Sequence, residues 1–242
     1  MITEILETKR SEVEALKKAE FGQRPRPLRR PVFDGPVNII AELKRRSPSA
    51  GFIREIDEKR VDIYSRYAKI ISVVTDSTYF GGSYDFLSQV AGSTSLPILC
   101  KDFIVDRVQI DRAYAAGADM VLLIARILPK EELESLYAYA CMRGLMCLIE
   151  LHSPSDMEKI GAITPEMVGV NGRDLDTLGM DLDRVEEMLP ALSAPFRVAE
   201  SGIRSRSDVE RMLKAGADGF LIGEALMRAE NPERLFEELL NG

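Results

Sequence analysis

The stretch NIIAELKRRSPSAGF, residues 38–52, begins as a buried β-strand and ends in charge. Its apolar run, residues 39–41, leads directly into Glu42 and Lys44. These two side chains are two residues apart, so both point to the same face of a strand. Because buried charges are costly unless they are paired or used in chemistry, the end of this strand is a candidate functional site.

Seven further apolar runs, rich in Val, Ile and Leu, follow this one along the chain. The eight runs are IIAEL (39–43), IISVVT (70–75), PILCKDF (97–103), MVLLIARI (120–127), MCLIEL (146–151), EMVGVN (166–171), FRVAESG (196–202) and FLIGEAL (220–226). Helical patterns separate them, as in VDIYSRYAKI (61–70) and SDVERMLKAG (207–216), and NPERLFEELL (231–240) follows the last run.

These runs are continuously apolar rather than alternating, which is the pattern of parallel strands covered on both faces. No G-x-G-x-x-G motif follows any of them, which disfavours a doubly wound dinucleotide-binding sheet. Eight strand–helix units fit into roughly 205 residues, the size expected of a (β/α)8 barrel. We therefore predict an α/β fold of the TIM-barrel type.

Residues 1–37 precede the first run and have a different composition. ITEILETKRSEVEALKKA (2–19) has the pattern of an amphipathic helix. QRPRPLRRPVFDGP (23–36) contains four prolines, which exclude regular structure, and we expect its arginines to be solvated in a linker rather than to bind an anion. These arginines are Arg24, Arg26, Arg29 and Arg30. The 242-residue chain is thus expected to be one barrel domain, with an N-terminal helix and linker (1–37) before the barrel itself (38–242).

Composition excludes several classes of function. A formal net charge of −7 argues against nucleic acid as the main partner. No apolar run approaches the roughly 20 residues that span a bilayer, and the N-terminus lacks the pattern of a secretory signal. The cysteines Cys100, Cys141 and Cys147 are odd in number and lie in apolar runs, so we expect reduced core thiols rather than disulfides or a metal site. We expect a cytoplasmic protein that acts as a monomer.

Polar side chains gather where the predicted strands end, and in a barrel that end carries the active site. The residues at these ends are Glu42, Lys44, Lys101, Asp102, Glu150, His152, Asn171, Arg173, Glu200, Ser201, Gly202, Gly223 and Glu224. A barrel whose strand ends served stability alone would not bring so many charges together. We expect His152 to lie at the rim or to support a neighbour rather than to act as a catalytic base.

Two parts of this site follow from the residue types alone. Glycines in AESGIRS (199–205) and LIGEAL (221–226) stand where barrels often bind phosphate through backbone N–H groups, so the substrate is expected to be a small phosphorylated molecule. Lys44 and Lys101, beside the acids at strand ends one and five, form a cluster whose pKa values should be coupled. That cluster suits proton transfer to a carbonyl or hydroxyl, and it equally suits a Schiff-base lysine.

The motifs taken together resemble the indole-3-glycerol phosphate synthase family. They are IAELKRRSPSAG (40–51), TDSTYFGGSYDFL (75–87), PILCKDFIVDRVQI (97–110), AGADMVLLIARIL (116–128), LIELH (148–152), VGVNGRDL (168–175), VAESGIRS (198–205) and GADGFLIGEALMRA (216–229). The resemblance implies a carboxy-lyase of tryptophan biosynthesis without a metal or organic cofactor. Its reaction closes the indole ring of 1-(2-carboxyphenylamino)-1-deoxyribulose 5-phosphate, with loss of CO₂ and water.

The same resemblance implies roles for individual residues. The implied catalytic positions are Lys101, Glu150, Lys44, Glu42, Asn171 and Ser201. The implied substrate-binding positions are Ser47, Phe80, Phe103, Arg173, Glu200, Gly202, Gly223 and Glu224. Lys101 is similar to the family's general acid, Glu150 to the residue of the later proton transfers, and Lys44 to a contact of the anthranilate carboxylate. Glu42 would position the two lysines.

The remaining implied positions hold the substrate. Phe80 and Phe103 would form walls for the aromatic ring, and Ser47 would help to hold the substrate. The amide and guanidinium of the NxRxL motif (171–175) would orient its polar groups. Residues of the seventh and eighth strand ends would bind its phosphate, mainly through backbone amides.

Other barrel enzymes remain as alternatives at this stage. Phosphoribosylanthranilate isomerase should carry a catalytic cysteine at the end of the first strand, where this chain has Glu42 and Lys44. A Schiff-base aldolase would use one of the lysines as a nucleophile. A catalytically silent barrel that serves as a scaffold should lack one of the charged residues at the mouth, and none is missing.

Overall fold

Eight parallel strands close into a barrel in a computed structural model that describes residues 2–241. The barrel strands are β1 Ile39–Leu43, β2 Ile70–Val74, β3 Ile98–Lys101, β4 Met120–Ile124, β5 Met146–Leu151, β6 Met167–Asn171, β7 Phe196–Glu200 and β8 Gly219–Ile222. Each strand pairs with its neighbours in the chain, and β8 pairs with β1 to close the circle. The predicted TIM barrel is confirmed.

Helices cover the outside of the barrel and one precedes it. They are α1 Ile2–Leu16, α2 Glu58–Tyr67, α3 Tyr84–Ser93, α4 Arg107–Ala116, α5 Lys130–Met142, α6 Pro154–Met157, α7 Leu182–Met188, α8 Arg206–Lys214, α9 Glu224–Arg228 and α10 Pro232–Asn241. Short 3₁₀ helices span Ala125–Ile127, Glu158–Ile160 and Leu189–Ala191. A small antiparallel hairpin, Arg46–Ser47 with Gly51–Phe52, projects from the loop after β1. The predicted N-terminal helix is confirmed as α1.

The barrel interior is filled by layers of four side chains from alternate strands. One apolar layer comes from the odd-numbered strands and consists of Ile40, Leu99, Leu148 and Val198. Two residues farther along the same strands, the side chains point inward again. These side chains belong to Glu42, Lys101, Glu150 and Glu200, and the strand registers place them at one height. We call them the charged layer, because they replace what would otherwise be a layer of the core.

The segment 17–37, which we call the N-terminal strap, runs along the flank of the barrel from one end to the other. At the mouth, Ile5 of α1 belongs to the inner apolar cluster together with Phe103. At the opposite end, the ring of Phe33 packs edge-on against Phe196, with centroids 5.0 Å apart. The N-terminal part of the chain therefore contacts both ends of the barrel.

The prediction that the strap arginines are solvated is wrong for Arg24 and Arg26. Their side chains are only 6% and 7% exposed, and both form ion pairs with the buried carboxylate of Asp119. Asp119 also accepts the backbone N–H groups of Arg29 and Ile98, at 2.9 Å each. Burial is tolerated because every charge has a partner, and the prolines leave the strap irregular as predicted. Arg30 remains exposed at the surface.

The cysteines are free thiols, but they do not share one environment. Cys100 and Cys147 are buried in the core as expected, whereas Cys141 is exposed on α5. The prediction of a core thiol is therefore wrong for Cys141, because the apolar run around it belongs to an amphipathic helix. Within residues 2–241, no helix is long and apolar enough to cross a membrane.

Candidate active site

The C-terminal ends of the strands and their loops enclose a cavity of about 120 Å³ above the charged layer, which is room for several water molecules or one small ligand. We call it the mouth cavity. The predicted site residues that line it are Glu42, Lys44, Ser47, Phe80, Lys101, Phe103, Glu150, Asn171, Arg173, Ser201, Gly202, Gly223 and Glu224. Among the predicted site residues, only Glu200 lies beneath the lining. The structure thus brings together residues that are far apart in the sequence.

Lys101 stands between two carboxylates of the charged layer. Its Nζ lies 3.8 Å from Oε2 of Glu42 and 3.6 Å from Oε2 of Glu150. Burial lowers the pKa of Lys101, but the charges of Glu150 and Glu42 outweigh it and raise the pKa above the ordinary value for lysine. Lys101 is therefore an ammonium in the resting site, able to donate a proton and unsuited to act as a free amine.

Glu42 contacts both lysines of the site. Its Oε1 lies 2.7 Å from Nζ of Lys44 and its Oε2 faces Lys101. Burial raises the pKa of Glu42, but the charges of Lys44 and Lys101 outweigh it and hold the pKa below its usual range. Gly223 makes room for this arrangement, because a Cβ there would lie 2.2 Å from Oε1 of Glu42.

Glu150 is held by the only histidine of the sequence. Nε2 of His152 lies 2.7 Å from Oε1 of Glu150, and Nδ1 lies 3.0 Å from the carbonyl oxygen of Arg173. Both ring nitrogens face oxygen atoms, and these two contacts fix the orientation of the ring beside Glu150. His152 is 3% exposed, so it supports Glu150 from below rather than from the rim.

The pKa of Glu150 follows from these neighbours. Burial raises the pKa of its carboxyl, but the charge of Lys101 and the hydrogen bond and charge of His152 outweigh burial and lower it far below the ordinary range. Glu150 is therefore a carboxylate at neutral pH and can accept a proton.

Glu200 behaves in the opposite way. It is 1% exposed, and among residues 2–241 neither of its carboxyl oxygens has a hydrogen-bond partner. Burial first, and then the negative charge of Glu150, raise the pKa of Glu200 well above its ordinary value. Gly169 on β6 leaves the space for this carboxyl, because a Cβ there would lie 1.9 Å from Oε1 of Glu200. The charged layer therefore combines carboxyl groups whose pKa values are shifted in opposite directions.

The loops after β7 and β8 present backbone to the mouth cavity. Ser201 and Gly202 have φ angles of 66° and 79°, the left-handed region, which is unusual for serine and typical of strained functional sites. A Cβ at Gly202 would lie 2.9 Å from both Leu182 and Met180, so this position requires glycine. Two successive residues in this conformation can turn N–H groups toward an anion.

Arg173 and Asn171 line the side of the cavity next to these loops. Oδ1 of Asn171 accepts the backbone N–H of Arg173 at 2.9 Å, which fixes the turn after β6. The guanidinium of Arg173 lies 3.5 Å from Oε2 of Glu224 and donates to the carbonyl of Leu178 at 3.2 Å. Both side chains are thereby oriented into the cavity before a ligand is bound.

The opposite side of the cavity is apolar. The rings of Phe80 and Phe103 have centroids 6.1 Å apart and are tilted by 41°. Ile5 of α1 also lines the cavity, and the side chain of Ser47 reaches it from the hairpin after β1. A ligand in this site would meet aromatic and aliphatic carbon at one end and backbone N–H groups at the other. Within the described part of the chain, no group of three or more His, Cys, Asp or Glu residues could hold a metal ion.

Several residues of the site were not identified from the sequence. Gly169 stands inside a continuous apolar run, and its importance depends on the carboxyl of Glu200 on the neighbouring strand. Ile5 and Lys9 belong to a helix that could not be placed over the mouth from its own pattern. A signal for Lys9 was present, because it lies four residues from both Ile5 and Val13 on the buried face of α1.

The chain is similar in sequence to one family of known proteins. The sequence profile of the family described as indole-3-glycerol phosphate synthase matches residues 3–239. A relative with that name from Exiguobacterium sibiricum is 41% identical over 252 residues, covering 100% of this chain and 97% of the relative. One with the same name from Bacillus cereus is 42% identical over 205 residues, covering 83% of this chain and 81% of the relative.

Among solved structures, 3-hexulose-6-phosphate synthase from Salmonella typhimurium is similar with a TM-score of 0.65 and 15% identity, covering 84% of this chain and 96% of that one. Thiamine phosphate pyrophosphorylase from Pyrococcus furiosus is similar with a TM-score of 0.63 and 18% identity, covering 85% of this chain and 94% of that one. At such low identity these two likenesses show the shared barrel fold alone.

Proposed function

This chain belongs to the indole-3-glycerol phosphate synthase family, and from that premise we propose how its mouth cavity performs the reaction. The enzyme converts 1-(2-carboxyphenylamino)-1-deoxyribulose 5-phosphate to indole-3-glycerol phosphate, and it releases CO₂ and water. The observation that supports the assignment of roles is the position of Lys101, an ammonium held between Glu42 and Glu150 in the charged layer.

The two ends of the cavity suit the two ends of this substrate. The carboxyphenyl ring lies against Phe80 and Phe103, and the phosphate lies against the backbone of Ser201, Gly202 and Gly223. This placement puts the ketone of the substrate over the charged layer. Binding at both ends holds the aromatic carbon and the ketone close together, which removes much of the entropic barrier to ring closure.

Ring closure needs an acid at the ketone oxygen. As the aromatic carbon attacks the carbonyl carbon, negative charge develops on that oxygen, and the ammonium of Lys101 stabilises the charge and donates its proton. The carboxylates of Glu42 and Glu150 keep Lys101 charged until that moment. A lysine with this raised pKa is a poor nucleophile, which favours acid catalysis over a Schiff base.

Decarboxylation and dehydration follow. Lys44 contacts the anthranilate carboxylate, and the carbon–carbon bond breaks so that its electrons restore aromaticity as CO₂ leaves. The new hydroxyl then departs as water with a proton from Lys44, or from Lys101 after it has taken up a proton again from solvent, while Glu150 accepts the proton that the ring system gives up. His152 stabilises Glu150 for this transfer. Every group in the sequence of steps is a side chain or backbone group of this one chain.

The same reasoning leads to proposals about the enzyme's setting. We propose that it acts as a monomer in the cytoplasm, because all of the proposed groups come from one chain and its thiols are free. Its partner is then the small phosphorylated substrate, with no nucleic acid, membrane, metal or organic cofactor taking part.

The direct test is to mix the protein with the carboxyphenylamino-deoxyribulose phosphate and to follow indole fluorescence. We expect a rise in fluorescence with turnover, and a flat trace from folded protein would overturn the assignment. Borohydride added during turnover gives an independent test. Covalent trapping of the substrate on a lysine would contradict acid catalysis by Lys101 and favour the aldolase type of chemistry.

A further inference from the structure

A buried ammonium lies behind two of the residues that line the mouth cavity, Asp76 and Asp102, and outside the charged layer. Lys9 of α1 is 0% exposed, and its Nζ lies 2.7 Å from Asp76, 2.8 Å from Asp102 and 2.7 Å from Glu12. Burial lowers the pKa of Lys9, but the charges of Asp102 and Asp76 outweigh it and raise the pKa above the ordinary value. Lys9 therefore carries a charge at this position.

A buried ion pair is a costly way to anchor a helix. Replacing such a pair by apolar residues of similar volume is often neutral or stabilising, so anchoring alone does not explain a lysine on the buried face of α1. Ile5 and Val13, one turn before and after Lys9, already bury apolar surface on this face. The reason for Lys9 should therefore lie in what its partners do.

The first partner, Asp76, shapes the loop that carries Phe80. While Oδ2 of Asp76 pairs with Lys9, its Oδ1 accepts the backbone N–H groups of Tyr79 at 2.7 Å and of Phe80 at 3.1 Å. The carboxylate thus closes the turn after β2. The position of the first aromatic wall depends directly on this turn.

The second partner, Asp102, shapes the turn that carries Phe103. Its Oδ1 pairs with Lys9 and also accepts the backbone N–H of Phe103 at 2.8 Å. Its Oδ2 accepts the hydroxyl proton of Thr75 at 2.7 Å. Lys101, immediately before Asp102, is held separately by β3 and by its contacts with Glu42 and Glu150. One ammonium on α1 therefore neutralises both carboxylates that fix the two aromatic walls.

We propose that Lys9 is a positioning residue, which holds Phe80 and Phe103 in place through Asp76 and Asp102 and so sets the affinity for the aromatic half of the substrate. The inference rests on the proposed function only in assigning the aromatic ring to these two phenylalanines. Lys9 itself touches neither the cavity nor the reacting atoms. Its effect should therefore appear in binding rather than in the chemical steps.

The first variant to measure is Lys9→Met, which keeps the length and the apolar body of the side chain. It leaves Asp76 and Asp102 facing each other without a cation, so the two turns should separate. An imperfect fit in an apolar pocket weakens binding by about 10- to 100-fold, so we expect KM to rise by about that factor while kcat changes much less. The control is Lys17→Met on the same chain segment, because Lys17 is 47% exposed and pairs with Glu14 at the surface.

The second variant separates positioning from simple loss of stability. In Lys9→Met/Asp76→Asn, the Asn side-chain oxygen can still accept the two N–H groups of the turn, and its NH₂ group can donate to Asp102. The excess negative charge is gone, so we expect KM to return most of the way to that of the unmodified enzyme. Recovery of KM would support the proposal even if Lys9→Met alone folds too poorly to assay.

Two results would overturn the inference. One is an unchanged KM in folded Lys9→Met. The other is a double variant that folds but shows no recovery, with kcat and KM both impaired. Turnover by the unmodified enzyme in the same assay keeps these results separate from the proposed function, whose failure would appear as no turnover at all.

Discussion

Replacing Gly169 by alanine should move the carboxyl of Glu200 without disturbing the barrel around it. The added Cβ would lie 1.9 Å from Oε1 of Glu200, and an ordinary contact needs about 3.4 Å, so the carboxyl must retreat by about 1.5 Å. The atom that must move is the end of a flexible side chain, so the backbone can stay in place. Glu200 would then lose its position beside Glu150 in the charged layer.

We expect Gly169→Ala to lower kcat strongly and to change the free energy of unfolding only slightly. A misplacement of about 1 Å can lower the rate about 100-fold even when the changed residue does not itself react, and because Glu200 lies beside Glu150 in the charged layer we expect a fall in kcat of up to that order for Gly169→Ala. Alanine in a strand is preferred to glycine by roughly 0.5–1 kcal/mol, which offsets part of the strain. The free energy of unfolding should therefore change by no more than about 1 kcal/mol in urea titrations.

The indole fluorescence assay measures kcat. A double-mutant cycle then shows whether Gly169→Ala lowers kcat by displacing Glu200. Once Glu200→Ala has removed the carboxyl, adding Gly169→Ala should cost nothing further. Gly92→Ala is the matched control, because Gly92 lies on α3 with nothing within 4 Å of the added Cβ. Additive losses in the cycle, or an unchanged kcat in Gly169→Ala, would refute the reasoning.

Three further predictions concern the same structure. Lys101→Met should lower kcat by about 10²–10⁴-fold with folding intact by circular dichroism, and an active variant would contradict its role as the acid. Because the pKa of Glu200 is raised, the folded protein keeps a proton that the unfolded chain releases as pH rises above the ordinary carboxyl range. The free energy of unfolding should decline over that interval, and Glu200→Gln should flatten the decline in urea titrations at several pH values; an unchanged slope would exclude the raised pKa. Asp119→Ala leaves the buried guanidinium of Arg24 without its ion-pair partner, so the free energy of unfolding should fall by about 3–5 kcal/mol, which corresponds to about 6–20 °C in Tm. The control Glu233→Ala removes an ion pair at the surface and should lower the free energy of unfolding by less than about 1 kcal/mol.

The strands could be predicted from the sequence, but their ends could not. The run 120–127 continues past β4, because residues 125–127 (Ala-Arg-Ile) form a 3₁₀ turn instead. The run 196–202 continues past β7, which stops where Ser201 takes a positive φ. Apolar composition identifies buried segments, and it does not distinguish a buried strand from a buried turn that follows it.

The charged layer was predictable because each of its four members is the last or second-to-last residue of a strand, and barrels place strand ends at the active site. Gly169 and Lys9 were not predictable in the same way. What each does depends on a side chain that is distant in sequence, Glu200 in one case and Asp102 in the other. The burial of Arg24 likewise depends on Asp119. Such effects follow from the three-dimensional pairing of elements rather than from local pattern.

The N-terminal strap has a consequence for how α1 stays on the mouth. Residues 17–23 join α1 to Arg24, which is fixed to Asp119 on the flank of the barrel. A short tether of this kind holds α1 near the mouth of the barrel at an effective concentration on the order of millimolar. An intrinsic affinity of α1 for the mouth that is tighter than millimolar is therefore enough to keep the helix docked.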